Sequence, residues 1–209
     1  MISNLAVTTW SHTSYCDVWP AYYGQFKKFA PFFKHYMFIN EINDDSPVGC
    51  VMIANDEQQK FSNRLVSSLE KVQENNVIYM QEDFILYDTV VRENISALND
   101  YLNSSDYSFI RLIKSGVEGG DKISDQLNLF EVPNASRYLY SLQASIWKKR
   151  DLLKLYRYYR PKTMLDSELY GSHACRDLQI KGCYVFGGEP KRGLYHYDSA
   201  VFPFMSTAI

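Results

Sequence analysis

The spacing of the first two apolar segments restricts the fold of this chain more than any other feature of its sequence. Residues 5–10 are short and β-branched, which is typical of a strand, and residues 35–40 form a second such segment. Between them, residues 18–29 carry aromatic side chains at helical spacing and stop just before Pro31. A strand, a helix and a strand of these lengths form a βαβ unit, so we predict an α/β fold built on a mainly parallel sheet.

The alternation of strands and helices continues along the chain. A predicted helix at 57–74 carries an apolar stripe on one face. Residues 114–134 are polar and Gly-rich and lack periodicity, which predicts a long lid or binding loop. The other predictions are strands at 48–54, 77–81, 107–113, 138–147 and 183–186, helices at 89–102 and 148–158, a helix beginning at Met164, and helix caps at Asn55, Asp56, Asp88 and Thr163.

The composition is that of one globular domain and argues against several classes of protein. The 209 residues are 46% hydrophobic and 22% charged, which is unlike a disordered chain. A net charge of −2 without a long basic block indicates no nucleic-acid partner. No apolar run approaches the roughly 20 residues of a membrane span, and the N-terminus lacks the pattern of a signal peptide.

The cysteines and the last residues give two further expectations. The four cysteines are scattered and lack metal-binding spacing, which indicates reduced thiols and a cytoplasmic location. Residues 200–209 are apolar and end without an evident stop, which favours a domain cut from a longer polypeptide.

Two adjacent carboxylates, Glu82 and Asp83, directly follow the predicted strand at 77–81. A carboxylate pair at the end of a buried strand is costly to desolvate, so it is either exposed in a turn, paired, or bound to a metal ion. Ligands of open α/β sheets bind beyond the carboxyl ends of the strands. The position of the pair therefore favours a metal site, with a simple solvated turn as the alternative.

A second acidic pair lies near the start of the helix that Thr163 caps. Asp166 and Glu168 fall in its first turns, where the helix dipole favours ionised carboxylates. Residues two apart on a helix point in different directions. We therefore predict that at most one of the two faces any given site.

Three segments together resemble a known family. They are residues 79–84 (Tyr-Met-Gln-Glu-Asp-Phe), residues 141–147 and residues 168–172. In this order and separation they resemble GT-A-fold nucleotide-sugar glycosyltransferases, and most closely bacterial and large-DNA-virus transferases, including chlorella virus domains, whose acidic motif reads Gln-Glu-Asp followed by an aromatic residue. The resemblance implies one GT-A-like (Rossmann-like) domain over 1–209, with a mixed, mainly parallel sheet flanked by helices, a donor-binding half at about 1–87 and an acceptor half at about 88–209.

The resemblance also implies a reaction and a cofactor. A sugar would move from a nucleotide-diphosphate donor, a UDP-sugar by preference, to a hydroxyl of a glycan or glycoprotein, in the host cytoplasm if the protein is viral. Mn²⁺ or Mg²⁺ would be held through hard oxygen ligands. Asp83 is the implied direct ligand and Glu82 a water-mediated or sugar-hydroxyl contact, although Gln81 departs from the family's commoner Asp-any-Asp motif. His196, or else His173, would add a late ligand, unless each is an ordinary surface or core histidine.

Further roles follow from the same resemblance. Glu168, with Asp166 as second candidate, would be the base of an inverting enzyme; a retaining enzyme needs no such base, and Glu168 would then bind a sugar. The remaining implied contacts are Thr8, Thr9, Trp10 and Arg64 at the nucleoside, and Lys191 and Arg192 at the diphosphate. As alternatives, Trp10 is plain core, Arg64 a solvated helix residue and Lys191 part of a solvated basic turn.

Two other classes remain open. A sugar-phosphate nucleotidyltransferase shares the sheet and the metal requirement, but it usually has a Gly-rich basic loop after the first strand, and residues 11–15 (Ser-His-Thr-Ser-Tyr) contain neither Gly nor a Lys or Arg. A non-catalytic carbohydrate-binding module fits the 17 tyrosines, because tyrosine suits surfaces that are both apolar and hydroxylated.

Overall fold

The predicted βαβ unit is present: the first two strands are parallel neighbours in the central sheet, and a helix connects them. The computed structural model describes residues 2–114 and 116–186 and the backbone of 198–199. The strands are β1 (Leu5–Trp10), β2 (Lys34–Ile39), β3 (Val51–Ala54), β4 (Asn76–Gln81), β5 (Phe84–Ile85), β6 (Phe109–Arg111), β7 (Lys122–Ser124), β8 (Leu129–Glu131), β9 (Ser145–Lys148), β10 (Gly182–Val185) and β11 (Asp198–Ser199). The helices are α1 (Trp19–Phe29), α2 (Phe61–Glu70), α3 (Arg92–Ser104), α4 (Lys149–Tyr159) and α5 (Met164–Asp177), with a short 3-10 helix at Thr13–Tyr15.

The main sheet is mixed but mainly parallel, as predicted. Its strand order is β3-β2-β1-β4-β9-β6-β10-β8-β7. The four strands at one end, β3, β2, β1 and β4, are parallel to one another. Strand β9 pairs antiparallel with both β4 and β6, and β8 pairs antiparallel with β10. The fold-class prediction is confirmed.

Both faces of the sheet are covered, and β4 shows why its sequence is apolar throughout. Every residue of β4 is buried. Ile78 and Met80 pack with α1 and α3 on one face, while Val77 and Tyr79 pack with α2, α4 and α5 on the other. A strand buried on both faces loses the usual alternation of apolar and polar residues. Its carboxyl end therefore lies in the middle of the fold, between two helical layers.

Two predicted helix starts are wrong. Helix α2 begins at Phe61 with Lys60 as N-cap, and neither Asn55 nor Asp56 caps it. Residue 57 stays outside the helix, and its carboxylate bonds to His12. Helix α3 begins at Arg92 with Val91 as N-cap, and the Asp88 carboxylate accepts a hydrogen bond from the backbone N–H of Thr89 instead of capping the helix. In both cases a polar side chain found a partner other than the helix terminus.

Two segments between strands also differ from their predictions. The predicted long loop contains the antiparallel hairpin β7–β8, and the strand predicted at 138–147 is reduced to β9. In place of a strand ladder, Arg111 donates to the backbone oxygen of Tyr138, and the Ser172 hydroxyl accepts from the backbone N–H of Tyr140. Side chains from β6 and α5 thus satisfy backbone groups that a sequence pattern would assign to a sheet.

Two expectations about the class of protein can be compared with the structure. All four cysteines are free thiols, as predicted. Among the described residues, no helix has the length and apolar character required to cross a bilayer.

Candidate functional site

The carboxyl ends of β1 and β4 lie side by side. Trp10, the last residue of β1, is in register with Gln81, the last residue of β4. The residues that follow, Ser11 and Glu82, are thereby brought together at the edge of the sheet. Ser11 is buried, and its hydroxyl accepts a hydrogen bond of 2.8 Å from the indole N–H of Trp19 in α1. The acidic pair thus lies in a formed part of the fold.

Glu82 and Asp83 form the turn between β4 and β5, and both side chains are half-buried. Burial raises the pKa of Glu82 to about 7, and the neighbouring charge of Asp83 contributes to the rise, while an interaction with the Ser11 hydroxyl opposes it. Near neutral pH the Glu82 carboxyl is therefore close to its midpoint of ionisation. A cation bound next to Glu82 would lower the pKa of this carboxyl and favour its ionised form.

The donor set of this pair suits a hard divalent cation. Within residues 2–114 and 116–186, no group of three or more His, Cys, Asp or Glu side chains is arranged to hold a metal ion by itself. Mg²⁺ commonly takes only one or two protein carboxylates and completes its octahedron with phosphates and waters. Two adjacent half-buried carboxylates fit that pattern, so Asp83 and Glu82 could share a cation with a phosphorylated ligand.

Trp10 and Arg64 lie on one face of the same edge. The Arg64 guanidinium stands 5.1 Å from the centre of the Trp10 ring, and Phe61 contacts the same indole edge-on at 4.8 Å. The Nε–H of Arg64 donates to the Asn55 side-chain oxygen at 2.7 Å. Burial lowers the pKa of Arg64, and the charges of Glu57 and Asp56 oppose that change. Arg64 is thus a held, partly desolvated cation beside an aromatic ring rather than a solvated helix residue.

Three polar residues that sequence reasoning missed join the ends of β1, β2 and β3. His12 follows β1, Asn40 follows β2 and Glu57 follows β3. The His12 Nε2 lies 2.6 Å from a Glu57 oxygen, and the Asn40 amide contacts the other oxygen of Glu57 at 3.4 Å. The Asn40 oxygen also accepts from the backbone N–H of Thr13 at 2.8 Å. Their shared position just after parallel strands is the sequence signal that could have found them.

Thr8 and Thr9 face the interior. Both are fully buried. The Thr8 hydroxyl donates to the backbone oxygen of Ile78, and the Thr9 hydroxyl contacts Tyr22 and His35 at 2.6 and 2.8 Å. Thr8 and Thr9 therefore fix β1 rather than face a ligand in this conformation. Trp10 lies beside the polar side chains of the strand ends but is also buried, with 8% of its surface exposed, and packs in the core as the alternative interpretation predicted.

The start of α5 lies at the same edge, because it is bonded to the start of α2. The backbone N–H groups of Phe61 and Ser62 donate to the carbonyls of Lys162 and Pro161 at 3.1 and 3.2 Å. Phe61 is also the residue that contacts Trp10. The second acidic pair therefore belongs to an element that adjoins the Trp10 face of the sheet.

The two carboxylates of α5 have different surroundings. Asp166 completes a capping box: its oxygen accepts from the backbone N–H of Thr163 at 2.9 Å, while the Thr163 hydroxyl accepts from the backbone N–H of Asp166 at 3.1 Å. The predicted cap at Thr163 is confirmed. Glu168 is exposed to solvent. Asp166 is occupied by the helix terminus, which leaves Glu168 as the carboxylate available to a ligand.

The other predicted residues are not brought to this edge by any described contact. His173 is exposed on α5, and its Nδ1 lies 3.5 Å from the Arg176 guanidinium. His196, Lys191 and Arg192 lie outside the described residues. Their predicted roles at the metal and the diphosphate stay predictions.

Comparison with solved structures supports the mixed α/β fold, whereas comparison with sequence families found nothing. No family model matches the chain, and no curated protein matches it. Among solved structures, the chain is similar to CMP:2-keto-3-deoxy-manno-octonic acid synthetase complexed with CTP, with a TM-score of 0.57 and 12% identity over 93% of this chain and 94% of that one. It is also similar to a cytidylyltransferase from Leptospira borgpetersenii, with a TM-score of 0.57 and 9% identity over 97% and 84% of the two chains. A third similar structure is S. aureus TarS 1-349, with a TM-score of 0.57 and 12% identity over 93% of this chain and 60% of that one.

The likeness establishes the fold. At these identities it carries no statement about substrate or chemistry, which depend on the residues of the site.

Proposed function

We propose that this protein is a transferase that binds a nucleotide-activated sugar at the carboxyl edge of β1 and β4 and moves the sugar to an acceptor hydroxyl. The observation that carries the proposal is the Glu82–Asp83 pair, half-buried at the end of a strand between two helical layers and beside the end of β1. A structural turn does not require two carboxylates at such a position, because desolvating them costs free energy that a bound cation offsets.

The proposed reaction is a displacement at the anomeric carbon. The bond between that carbon and the donor's phosphate oxygen breaks, and the nucleoside diphosphate leaves with the electron pair. The acceptor oxygen forms the new bond, and its proton passes to a base. Asp83 would hold Mn²⁺ or Mg²⁺ directly and Glu82 through a water or a sugar hydroxyl. When bound, the cation supplies positive charge next to the departing diphosphate.

Glu168 is the proposed base of an inverting reaction. It is exposed at the start of α5, which is bonded to the start of α2 next to Trp10. Asp166, the second candidate, is held in the capping box and would have to leave it to accept a proton. In a retaining reaction Glu168 would instead bind donor or acceptor sugar.

The proposed nucleoside site is the surface that the partly exposed His12 ring and Arg64 form beside the buried Trp10. An aromatic face and a partly desolvated cation suit a planar base and its carbonyl groups. A UDP-sugar is the proposed donor, and a glycan or glycoprotein the proposed acceptor. Lys191 and Arg192 are proposed to contact the diphosphate, and His196 to bind the metal. The scattered, reduced cysteines support a cytoplasmic location.

A sugar-phosphate nucleotidyltransferase is the second candidate, and the similar structures support it. Two of them are by name a CMP-sugar-acid synthetase and a cytidylyltransferase, and each is matched over more than nine-tenths of this chain. In that reaction an oxygen of the sugar substrate attacks the α-phosphorus of a nucleoside triphosphate, and pyrophosphate leaves. Against it, the segment after β1 is a short 3-10 helix without Gly, Lys or Arg, where such enzymes usually have a Gly-rich basic loop.

Calorimetry and product analysis together separate the two candidates. We expect a UDP-sugar to bind with Mn²⁺ more tightly than without it, and UDP to be released when acceptor sugars are added. Release of pyrophosphate from CTP and a sugar substrate would support the second candidate instead. A panel of UDP-, GDP- and CMP-sugars and CTP that gives no binding with or without Mn²⁺ would exclude both and leave the carbohydrate-binding module.

A further inference from the structure

The contacts of His12 determine which part of its ring a ligand can use. Its Nδ1 accepts hydrogen bonds from the backbone N–H of Ser14 at 3.0 Å and from the Ser14 hydroxyl at 2.8 Å. Nδ1 therefore carries no proton, and the ring proton sits on Nε2, which donates to Glu57 at 2.6 Å. Both ring nitrogens are occupied, so the ring offers a ligand its flat face and no hydrogen bond.

The backbone of His12 places this ring on the Trp10 side of the sheet. His12 has extended backbone angles (φ −146°, ψ 148°), which continue the course of β1. Side chains two apart along an extended chain point to the same face. The imidazole therefore lies on the face that carries Trp10 and Arg64, and its side chain is 35% exposed.

Glu57 joins this ring to the ends of the neighbouring strands. One of its oxygens accepts from His12 and the other from the Asn40 amide. Asn40 in turn binds both the backbone N–H and the hydroxyl of Thr13, at 2.8 and 2.9 Å. The Glu57 carboxylate, which follows β3, thus holds His12 directly and Thr13 through Asn40. Without it, His12 would lose the Nε2 partner that it has among the described residues.

We propose that Glu57 is a positioning residue that holds the His12 ring and the segment after β1 so that a planar nucleobase meets a preformed aromatic face. The inference rests on the proposed function, because it supposes a nucleotide at this edge. The inference goes beyond the proposed function because it separates two kinds of recognition. Binding of the base depends on Glu57 and His12, whereas binding of the diphosphate depends on Asp83. Glu57 itself touches no ligand.

The first experiment compares a ligand that has a base with one that has none. The affinities of UDP and of pyrophosphate, each with Mg²⁺, are measured by calorimetry. Stacking on an aromatic ring is worth roughly 5-fold or more in affinity per base, so we expect His12→Ala to weaken UDP binding by about that factor and to leave pyrophosphate binding unchanged. His12→Phe, which keeps a flat ring, should retain most of the affinity for UDP.

The second experiment tests the positioning role. We expect Glu57→Ala to weaken UDP binding roughly 3-fold or more, because a ring that is not held must be ordered on binding. Glu57→Gln keeps an oxygen that can accept from Nε2 and should restore most of that loss. Proton and nitrogen NMR of the free protein supplies a signature that general destabilisation does not mimic. The Nε2–H tautomer of His12, which the Ser14 N–H fixes through Nδ1, should persist in all three proteins. The Nε2–H proton, bonded to residue 57 in the wild type and in Glu57→Gln, should exchange with water markedly faster in Glu57→Ala.

Two matched controls accompany these variants. Asp100→Ala removes an exposed carboxylate from α3, and Tyr158→Ala removes an exposed aromatic ring from α4. Both should bind UDP as the wild type does. Equal losses of UDP and pyrophosphate in Glu57→Ala, or a His12→Phe variant as weak as His12→Ala, would overturn the inference and leave the proposed function standing. A wild-type protein that binds no nucleotide would overturn both.

Discussion

The two acidic pairs of this protein contain the same kinds of residue in opposite surroundings. Glu82 and Asp83 follow a fully buried strand, and burial raises the pKa of Glu82 to about 7. Asp166 and Glu168 begin a helix, where Asp166 is bonded to the Thr163 backbone and Glu168 is exposed. Ionising Glu82 next to Asp83 costs desolvation free energy, whereas Asp166 of the second pair serves to cap a helix. A half-buried carboxylate with a raised pKa is a better indication of chemistry than one that caps a helix.

The largest difference between the pairs should appear on removal of Asp83. We expect Asp83→Ala to lower metal-dependent donor turnover by about 1,000-fold or more, because the cation loses its direct protein ligand next to the departing diphosphate. Far-ultraviolet circular dichroism should be unchanged. Asp100→Ala is the control, since it deletes an equivalent but exposed carboxylate. Full activity in Asp83→Ala would show that Asp83 does not bind the metal. The proposed difference between a chemical pair at β4 and a structural pair at α5 would then be wrong.

Glu168→Gln tests whether the second pair takes part in chemistry at all. If Glu168 is the base, we expect the transfer rate to fall by roughly 100-fold or more while the Kd for the donor changes little. Rates are compared at saturating donor and acceptor. An undiminished rate would assign Glu168 to sugar binding in a retaining reaction, and the proposed chemistry would then rest on the β4 end alone.

Glu82→Gln tests the burial of the first pair through the pH dependence of stability. The pKa of Glu82 is raised to about 7, above its ordinary value of 4.5, so the folded state favours the protonated carboxyl. Its contribution to the free energy of unfolding is full at low pH and is lost as pH rises through about 7. In metal-free protein we expect the wild type to lose on the order of 2 kcal/mol relative to Glu82→Gln between pH 5 and 8. Urea unfolding at several pH values measures it, and a pH-independent difference would contradict the burial.

Asp166→Ala should have the smallest effect, and on stability rather than chemistry. Loss of one half of a capping box costs about 1 kcal/mol of unfolding free energy. Thr163→Ala should cost a similar amount, and the double variant little more than either, because the two residues bond to each other's backbone. Turnover at saturating substrate should stay within about twofold of the wild type. A large fall in turnover with stability unchanged would make Asp166 the base.

Local patterns predicted the elements that depend on nearby residues. Phe61, Leu65, Leu69 and Val72 are all buried, as their helical spacing predicted, and Thr163 caps α5 as its sequence context predicted. The boundaries failed where a distant partner intervened. Glu57 stands outside α2, and its carboxylate is bonded to His12, 45 positions earlier. No window of sequence around residue 57 contains that information.

The sequence by itself determined the layered α/β architecture and the place of the Glu82–Asp83 pair at a strand end, because apolar periodicity and the order of elements are written locally. Only the tertiary structure decided that Ser11 lies beside Glu82, that Arg64 lies over the ring of Trp10, and that His12, Asn40 and Glu57 join three strand ends. These contacts depend on strand order and register, which bring distant residues of the chain to one edge. A carboxylate's protonation, and therefore its chemistry, follows from those neighbours.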